Sequence, residues 1–501
     1  MRLSVIAATA LISLAPALAQ TTGSISTSAR TRESPPTPAA RPANGSFDAF
    51  LQRLWPLAQA RGITRATFDA AFRGVTPDPA IAALTRKQSE FTAPIWGYLN
   101  SAVGGTRIPR GRDAAAENAA VLAQIEARYG VPREIVLGVW GMETNYGSFK
   151  GDKDTIRSLA TLAHLRYRGD FFRDELLTAL ELIEEGHVER RELRGSWAGA
   201  MGHTQFMPSS YRKYAVDFTG DGHADIWTST RDALASTANY LKGYGWVPNL
   251  PWGLEVTLPE GFDHRLNKAN FSAFASAGVR RADGGRLPSS GEGRLFYPAG
   301  HRGPVMLLTE NFDVIKKYNS SDAYALAVGH LGDRIMGRPA IQADWPVKAP
   351  RLDMAATKTL QHRLKALGLY NHDADGRIGT GTREAVRQYQ LRNGEIADGW
   401  PTPAPSCAII GGSAGHRPGS IADAFALPRH ASGGCRPAAP DRRPLLARPD
   451  AAPAAGAAAA QSLSAVLAAA RDAAGRPAHA PARCARRPCR TPPPGRTRRG
   501  A

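Results

Sequence analysis

The sequence predicts a mainly helical fold with a small β insertion, followed by a small helical module and a disordered tail. An apolar run within residues 131–162 begins with a well-placed proline and ends on a carboxylate, as a buried helix would. Between residues 252 and 309, short β-type runs alternate with Gly and Pro, which predicts strands. Before both, apolar side chains recur at helical spacing, at Phe47, Phe50, Leu51, Leu54 and Leu57.

Residues 1–19 have the pattern of a secretory signal peptide. An apolar segment follows Met1 and Arg2, closes on the small-x-small motif Ala17-Leu18-Ala19, and is too short for a comfortable membrane span. Because no cysteine follows the cleavage site, we expect no lipid anchor and a mature protein in the periplasm. Residues 20–45 are rich in Ser, Thr, Pro and Ala, which indicates a flexible linker.

Residues 404–501 differ in composition from the rest of the chain, whose formal net charge is +19. They hold 15 Arg and 4 Asp, with neither Lys nor Glu. The abrupt change indicates either a reading-frame change in the gene or a genuine basic tail; in both cases we expect disorder and assign no function. The body needs no disulfide, because all the cysteines lie in this tail: Cys407, Cys435, Cys484 and Cys489.

One carboxylate ends the apolar run of residues 131–162. Glu143 is followed at once by Thr-Asn-Tyr-Gly, so we expect it near a helix end, close to Trp140 and Met142. Partial desolvation by such neighbours raises a carboxyl pKa toward the range of a general acid. From these residues alone, a helix-terminal Glu that faces water is the simpler interpretation.

The segment DFTGDGHAD is rich in oxygen ligands. Asp217, Thr219 and Asp221 stand at positions one, three and five of an EF-hand-like loop, and Gly222 stands at position six. Thr228 occupies position twelve, where a Glu is usual. The pattern leaves a calcium loop and a metal-free Asp-Gly turn equally open.

Two long motifs, in this order, resemble the membrane-bound lytic transglycosylase B family. The first is METNYG followed by G-x-x-D-x-x-x-x-L-A-T-L, which contains Glu143. The second is GSWAGAMGHTQFMPSSYRKYAVDFTGDGHADIW, from Gly195 to Trp227. Enzymes of this family have a lysozyme-like fold and cut peptidoglycan, so the resemblance implies such a catalytic domain over residues 46–342.

The resemblance also implies the chemistry. Glu143 would protonate the oxygen that bridges N-acetylmuramic acid and N-acetylglucosamine, and would then take the proton of the muramic 6-hydroxyl, leaving a 1,6-anhydro end. This reaction needs one carboxylate and no cofactor. The expected substrate contacts are the matching positions and the tyrosine beside the acid: Ser196, Gln205, Asn319, Tyr324 and Tyr146.

The family's variant of the acidic loop implies a structural calcium with two further ligands, Asp232 and the carbonyl of His223. Thr359–Gly394 resembles a three-helix peptidoglycan-binding domain, expected over residues 352–403 with its last helix lost. Within it, Leu360, Leu364 and Leu367 are expected on one helical face. The implied partner is the glycan strand of peptidoglycan, bound by a monomer; we expect no nucleic acid partner and no membrane span.

Two other functions remain open from the sequence. A lysozyme-type hydrolase would need a second carboxylate, such as Asp152 or Asp154. A wall-binding protein with an inactive enzyme domain would need none. The carboxylates of the helix predicted at residues 171–186 are expected on a solvated face.

Overall fold

The computed structural model describes residues 45–87 and 94–401, which belong to one compact unit. The predicted signal peptide, the linker up to residue 44 and the tail lie outside the described residues. Within the described ranges, no helix is long and apolar enough to cross a membrane. The mainly helical fold with a small sheet and a helical C-terminal module is confirmed.

The helices begin where the sequence offers capping side chains. The Ala49 N–H donates to Ser46 Oγ at 3.2 Å, and the Arg157 N–H donates to Asp154 Oδ1 at 3.0 Å. The helices are α1 Phe47–Ala60, α2 Arg65–Phe72, α3 Pro79–Lys87, α4 Ile95–Val103, α5 Arg107–Glu117, α6 Ala119–Tyr129, α7 Arg133–Thr144, α8 Thr155–His164, α9 Phe171–Glu184, α10 Pro208–Tyr214, α11 Thr230–Gly243, α12 Phe271–Ser276, α13 Glu310–Tyr318, α14 Asp322–Ile335, α15 Met354–Ala366 and α16 Thr380–Arg392.

Helix α7 is almost wholly buried and crosses α14 in antiparallel register. A Cβ atom at Gly138 would lie 2.4 Å from the Val328 carbonyl oxygen, and one at Gly332 would lie 2.4 Å from the Glu134 carbonyl oxygen. Each helix thus presents a glycine to the backbone of the other, so the two backbones approach more closely than larger residues permit. This crossing sets the last turn of α7 against the first turn of α14.

Helix α9 departs from the expected solvated face at Glu175, which is 5% exposed. Its carboxylate accepts the Ser209 N–H at 2.9 Å and the Ser209 hydroxyl at 2.6 Å. It therefore caps α10, whose own N-cap residue, Met207, makes no side-chain hydrogen bond. The prediction of a solvated face is wrong for this residue. The N–H groups at the start of α10 need an acceptor, and the Glu175 carboxylate of the neighbouring helix α9 provides it.

The strands of the main sheet fall between α11 and α13 in chain order. Its strand order is β4-β6-β7-β3-β5 and its pairs are antiparallel. Three predicted runs form β3, β6 and β7, whereas β4 and β5 are too short to show a sequence period. The strands are β1 Lys153–Asp154 and β2 Arg194–Gly195, which pair with each other, and β3 Gly253–Thr257, β4 Lys268–Asn270, β5 Arg280–Arg281, β6 Glu292–Phe296 and β7 Val305–Leu308.

The C-terminal module consists of α15, α16 and the chain that follows, up to residue 401. Leu360 and Leu364 of α15 pack against Val386 of α16. Leu367, expected on the same face, is 51% exposed because α15 ends at Ala366. The described residues therefore contain two helices of the expected three-helix module.

Polar and cation–π contacts join the module to the sheet and the loop that follows it. The Arg383 guanidinium lies 5.1 Å from the centroid of the Phe296 ring and 5.0 Å from that of the Trp400 ring. Beside it, His301 Nδ1 lies 2.9 Å from the Asp398 carboxylate, which also accepts the His301 N–H. These contacts hold the module at a defined position on the larger domain.

Gly138→Ala is expected to lower the free energy of unfolding by about 1–3 kcal/mol, because the added methyl group would overlap the Val328 carbonyl. Urea denaturation measures the change. Gly97→Ala in α4 is the control, since its Cβ would meet nothing nearer than 3.5 Å and alanine favours the helix. Equal losses of stability in both variants would contradict the close-crossing explanation.

Candidate active site

Glu143 lies in the last turn of α7 and is 7% exposed. Directly after it the backbone turns through three residues with positive φ: Asn145 at 48°, Tyr146 at 60° and Gly147 at 76°. A Cβ atom at Gly147 would lie 2.3 Å from the His203 ring, so only glycine fits there. The strained turn ends the helix at a fixed place and thereby fixes the carboxylate.

Tyr324, in the first turn of α14, donates its hydroxyl to Glu143 Oε1 at 2.5 Å. Burial and the neighbouring carboxylate raise the pKa of Tyr324 well above its usual value, so the phenol stays a donor at every physiological pH. The Asn319 side chain, also expected at the site, accepts the Ser321 N–H at 3.1 Å and orders the turn that begins α14. The structure thus places Tyr324 against Glu143, and the contact of Asn319 with substrate stays a prediction.

Two further tyrosines lie at this carboxylate and were not anticipated from the sequence. Burial first and then the charge of Glu143 raise the pKa of Tyr318 well above its usual value, and the charge of Glu143 adds to the effect of burial in raising the pKa of Tyr240. The Tyr318 hydroxyl donates to the Thr204 carbonyl at 3.0 Å. Its place directly before Asn319 was the available signal; Tyr240, on α11, gave none.

Gln205 is buried in the loop that precedes α10. Its backbone has φ 52°, and its side-chain Nε2 donates to the carbonyls of Lys150 at 3.0 Å and Gly202 at 2.9 Å. Its Oε1 atom is buried and has no hydrogen-bond partner in the described part of the chain. A buried acceptor without a donor is costly, so this atom is suited to accept a hydrogen bond from a ligand.

Ser196 is fully buried and closes a turn. Its hydroxyl oxygen accepts the N–H groups of Ala198 at 3.3 Å and Ala200 at 3.0 Å. These bonds use the oxygen as an acceptor and leave the hydroxyl proton available to donate. The structure shows Ser196 shaping the loop, and its contact with substrate stays a prediction.

Tyr146 packs its hydroxyl into the core, and its expected contact with substrate stays a prediction. Its hydroxyl is buried between α5 and α7, where a Cβ at Gly111 or Gly141 would approach it to 2.5 or 2.6 Å. Its ring meets Trp140 edge-on at 5.6 Å. The positive φ turns this side chain back into the core, so the structure gives Tyr146 a packing role.

His203 links the turn after Glu143 to the loop that follows the acidic segment. Trp140 Nε1 donates to His203 Nδ1 at 3.1 Å, and the His203 N–H donates to the Ile226 carbonyl at 2.8 Å. Lys150, whose carbonyl holds Gln205, donates its ammonium to the Trp227 carbonyl at 2.6 Å. Burial first, and the Lys150 charge second, lower the pKa of His203 to about 4.

A groove of about 1690 Å³ lies between the larger domain and the C-terminal module. Tyr318 and Asn319 line it on the side of the carboxylate, and Met207 follows the Gln205 loop along its floor. The opposite wall comes from the module, with His372 and Thr380 among its residues. A polymer strand therefore has room to contact both parts of the chain.

Comparison with known proteins identifies the family. The model described as "Transglycosylase SLT domain" matches residues 46–333, more than half of the chain. The chain belongs to this family. A second model, described as "Putative peptidoglycan binding domain", matches residues 353–404. The chain is thus a lytic transglycosylase of peptidoglycan with a C-terminal peptidoglycan-binding domain, and the family expected from the two motifs is confirmed.

Individual relatives agree with this assignment. SltB3 from Pseudomonas aeruginosa is 46% identical, with a TM-score of 0.67 over 72% of this chain and 98% of SltB3. Its structures contain NAG-anhNAM-pentapeptide or NAG-NAM-pentapeptide. Membrane-bound lytic murein transglycosylase B from Escherichia coli (strain K12) is 39% identical over 214 residues, or 58% of that protein. Slt35 from Escherichia coli, solved in complex with calcium, is 30% identical over 93% of its chain, with a TM-score of 0.49.

Three of the residues expected to bind a metal lie close together in the transglycosylase domain. The carboxylates of Asp217, Asp221 and Asp232 each offer an oxygen, and these oxygens lie within 4.8 Å of one another. Thr219 donates its hydroxyl to Asp217 Oδ1 at 3.2 Å, and the His223 carbonyl accepts the Asp225 N–H at 3.1 Å. Three converging carboxylate oxygens are the hard donors that Ca²⁺ prefers.

The pH dependence of stability is expected to report on His203. Because the unfolded chain takes up a proton near pH 6.5 that the folded chain accepts only near pH 4, this residue's contribution is full above pH 6.5 and is lost as the pH falls toward 4. His203→Asn, which keeps an acceptor for Trp140, should remove roughly 3 kcal/mol of this loss in urea denaturation.

His362→Asn serves as the control, because that side chain is exposed on α15. It should reproduce the wild-type decline between pH 6.5 and 4. A decline as steep in His203→Asn as in the wild type would show that His203 takes up no proton on unfolding in this range.

Proposed function

We propose that Glu143 is the single catalytic carboxylate that cleaves the bond between N-acetylmuramic acid and N-acetylglucosamine with formation of a 1,6-anhydro end. The observation that carries the proposal is the buried Glu143 carboxyl group held by Tyr324 at 2.5 Å. A further support is SltB3, which was solved with an anhydro-muramic glycopeptide and is matched over 98% of its length.

In the first step, the protonated Glu143 gives its proton to the bridging oxygen as the bond from that oxygen to the muramic C1 breaks. In the second step, the Glu143 carboxylate takes the proton from the muramic 6-hydroxyl as its oxygen bonds to C1. Glu143 thus regains the proton that it gave in the first step, and the reaction consumes no water. Because the attacking hydroxyl belongs to the same sugar, proximity supplies part of the barrier reduction.

The surrounding residues hold the carboxyl group and the sugar. Tyr324 occupies Oε1 and so fixes the plane of the carboxyl group. We assign hydrogen bonds to substrate to the buried Oε1 of Gln205, to Asn319 at the groove wall and to the hydroxyl proton of Ser196. Burial of the site keeps water from competing with the 6-hydroxyl.

The lysozyme-type alternative lacks a suitable second carboxylate at the two positions considered. Asp154 caps α8 and forms an ion pair with Arg190 at 2.7 Å. The side chain of Asp152 is 72% exposed and lies 3.8 Å from Lys153. Asp154 is thus paired and Asp152 is exposed to solvent. Neither is a free carboxylate in a buried cleft, which favours the transglycosylase reaction over hydrolysis.

We infer that the catalytic domain spans residues 46–342 and the binding domain residues 352–403, and that the mature protein works as a periplasmic monomer on glycan strands. The two family matches, which end at residue 333 and begin at residue 353, support the boundary. The signal-peptide pattern of residues 1–19 supports the compartment.

We also infer a structural calcium at the acidic loop. Asp217, Asp221 and Asp232 would hold the ion, with the Thr219 hydroxyl and the His223 carbonyl as further oxygen ligands. The ion would offset the mutual repulsion of three neighbouring carboxylates and so stabilise the loop. The reaction at Glu143 requires no cofactor.

Mass spectrometry of muropeptides released from purified peptidoglycan tests the reaction. The wild type is expected to release anhydro products, lighter than hydrolysed products by one water, and Glu143→Gln should release none, because an amide cannot transfer the proton. Asp154→Asn is the matched control and should still release anhydro products.

Reducing-end products from the wild type would contradict the proposal and restore the hydrolase. No products from a folded wild type that still binds peptidoglycan would instead support a wall-binding protein.

Thermal unfolding with and without Ca²⁺ tests the metal. The melting temperature of the wild type is expected to rise by a few degrees with Ca²⁺, because the ion binds the folded loop. Asp221→Asn should lose this response, since one ligand is removed, whereas Asp263→Asn, in another exposed loop, should keep it. A wild type that melts at the same temperature in EDTA and in Ca²⁺ would exclude the site.

A further inference from the structure

The loop between α8 and α9, residues 165–170, is conformationally strained. Arg166 has φ 51° and Arg168 has φ 55°, and Gly169 follows at 66°. An arginine in the left-handed region costs roughly 1 kcal/mol relative to glycine. Two such residues within three positions indicate that the arginine side chains, rather than the backbone conformation, account for the choice of residue at these positions.

The two arginines face different surroundings. Arg168 lines the groove beside the C-terminal module, together with Tyr167, whereas Arg166 does not line it. Arg166 forms an ion pair with Asp170 at 3.8 Å. Arg168 has no ion pair in the described part of the chain, and its guanidinium stacks over Tyr167 at 5.5 Å. A positive charge without a carboxylate partner is thus presented to the groove.

The same wall carries aromatic surface and a further donor. Phe171 lines the groove and is 42% exposed. Trp197 lines it as well, and its buried indole N–H has no hydrogen-bond partner in the described ranges. A guanidinium stacked on the Tyr167 ring, in a groove that also holds the exposed Phe171 ring and an N–H donor unpaired among the described residues, is suited to a ligand that combines carboxylate and apolar groups.

We propose that Arg168 binds a carboxylate of the peptide stem of peptidoglycan and so makes the enzyme prefer peptide-bearing strands. The inference rests on the proposed function. When a stem is attached, the lactyl carboxyl group of muramic acid is an amide, so the negative charges of such a strand lie in the stem. Without a stem, the lactyl carboxylate is the remaining anion.

Binding to the Glu143→Gln variant separates these cases, because that variant cannot turn over substrate. The probes are NAG-NAM-pentapeptide and NAG-NAM with a free lactyl group, measured by calorimetry. Adding Arg168→Ala should weaken pentapeptide binding about ten-fold, as expected for one charge-assisted hydrogen bond, and leave NAG-NAM unchanged. The loss should shrink as salt rises, because it is electrostatic.

Arg166→Ala is the matched control, since it removes an arginine of the same loop and of similar backbone conformation that does not line the groove. It should leave both affinities unchanged. Arg168→Lys should recover part of the pentapeptide affinity. Arg168→Gly, which relieves the positive φ, should melt no lower than the parent while it binds pentapeptide as weakly as Arg168→Ala.

Three results would overturn the inference: equal weakening of both probes, weakening of NAG-NAM alone, or pentapeptide binding unaffected by Arg168→Ala. The second result would assign the guanidinium to the lactyl carboxylate. Failure of the Glu143→Gln parent to bind either probe would instead contradict the proposed function.

Discussion

The antiparallel crossing of α7 and α14 is the contact on which the active site depends. Gly138 faces the backbone at Val328, Gly332 faces the backbone at Glu134, and the same register places Tyr324 opposite Glu143. A wider separation of these helices would withdraw the phenol from the carboxylate. A carboxyl group as buried as Glu143 needs such a partner, because an unsatisfied polar group at that depth is costly.

The position of Gln205 depends on a second series of hydrogen bonds, which starts at the acidic loop. Asp232 accepts the Asp225 N–H, and the segment that follows gives the Ile226 carbonyl to His203 and the Trp227 carbonyl to Lys150. The Lys150 carbonyl in turn holds the amide of Gln205. A metal that orders this loop would therefore stabilise the position of a residue proposed to contact substrate, without taking part in the reaction.

The C-terminal module is part of the groove rather than a separate attachment. The Arg383 guanidinium contacts the rings of Phe296 and Trp400, and the groove runs between the module and the transglycosylase domain. Strand binding and bond cleavage can then act on one continuous surface. The charge pattern of that surface, and Arg168 in particular, gives the enzyme a means to distinguish strands by their peptides.

The sequence by itself determined the helical class, the three main strands and Glu143 with its family, because periodicity and contiguous motifs are local properties. It also pointed to Tyr324, which contacts Glu143 in the structure, because the segment that contains it matches the family. Only the tertiary structure decided the surroundings of each side chain. Tyr146 turns into the core because its φ is positive, and Glu175 is buried because α10 lacks its own cap. Tyr240, Arg168 and Arg383 gain their surroundings from the folding of distant segments, which no local pattern encodes.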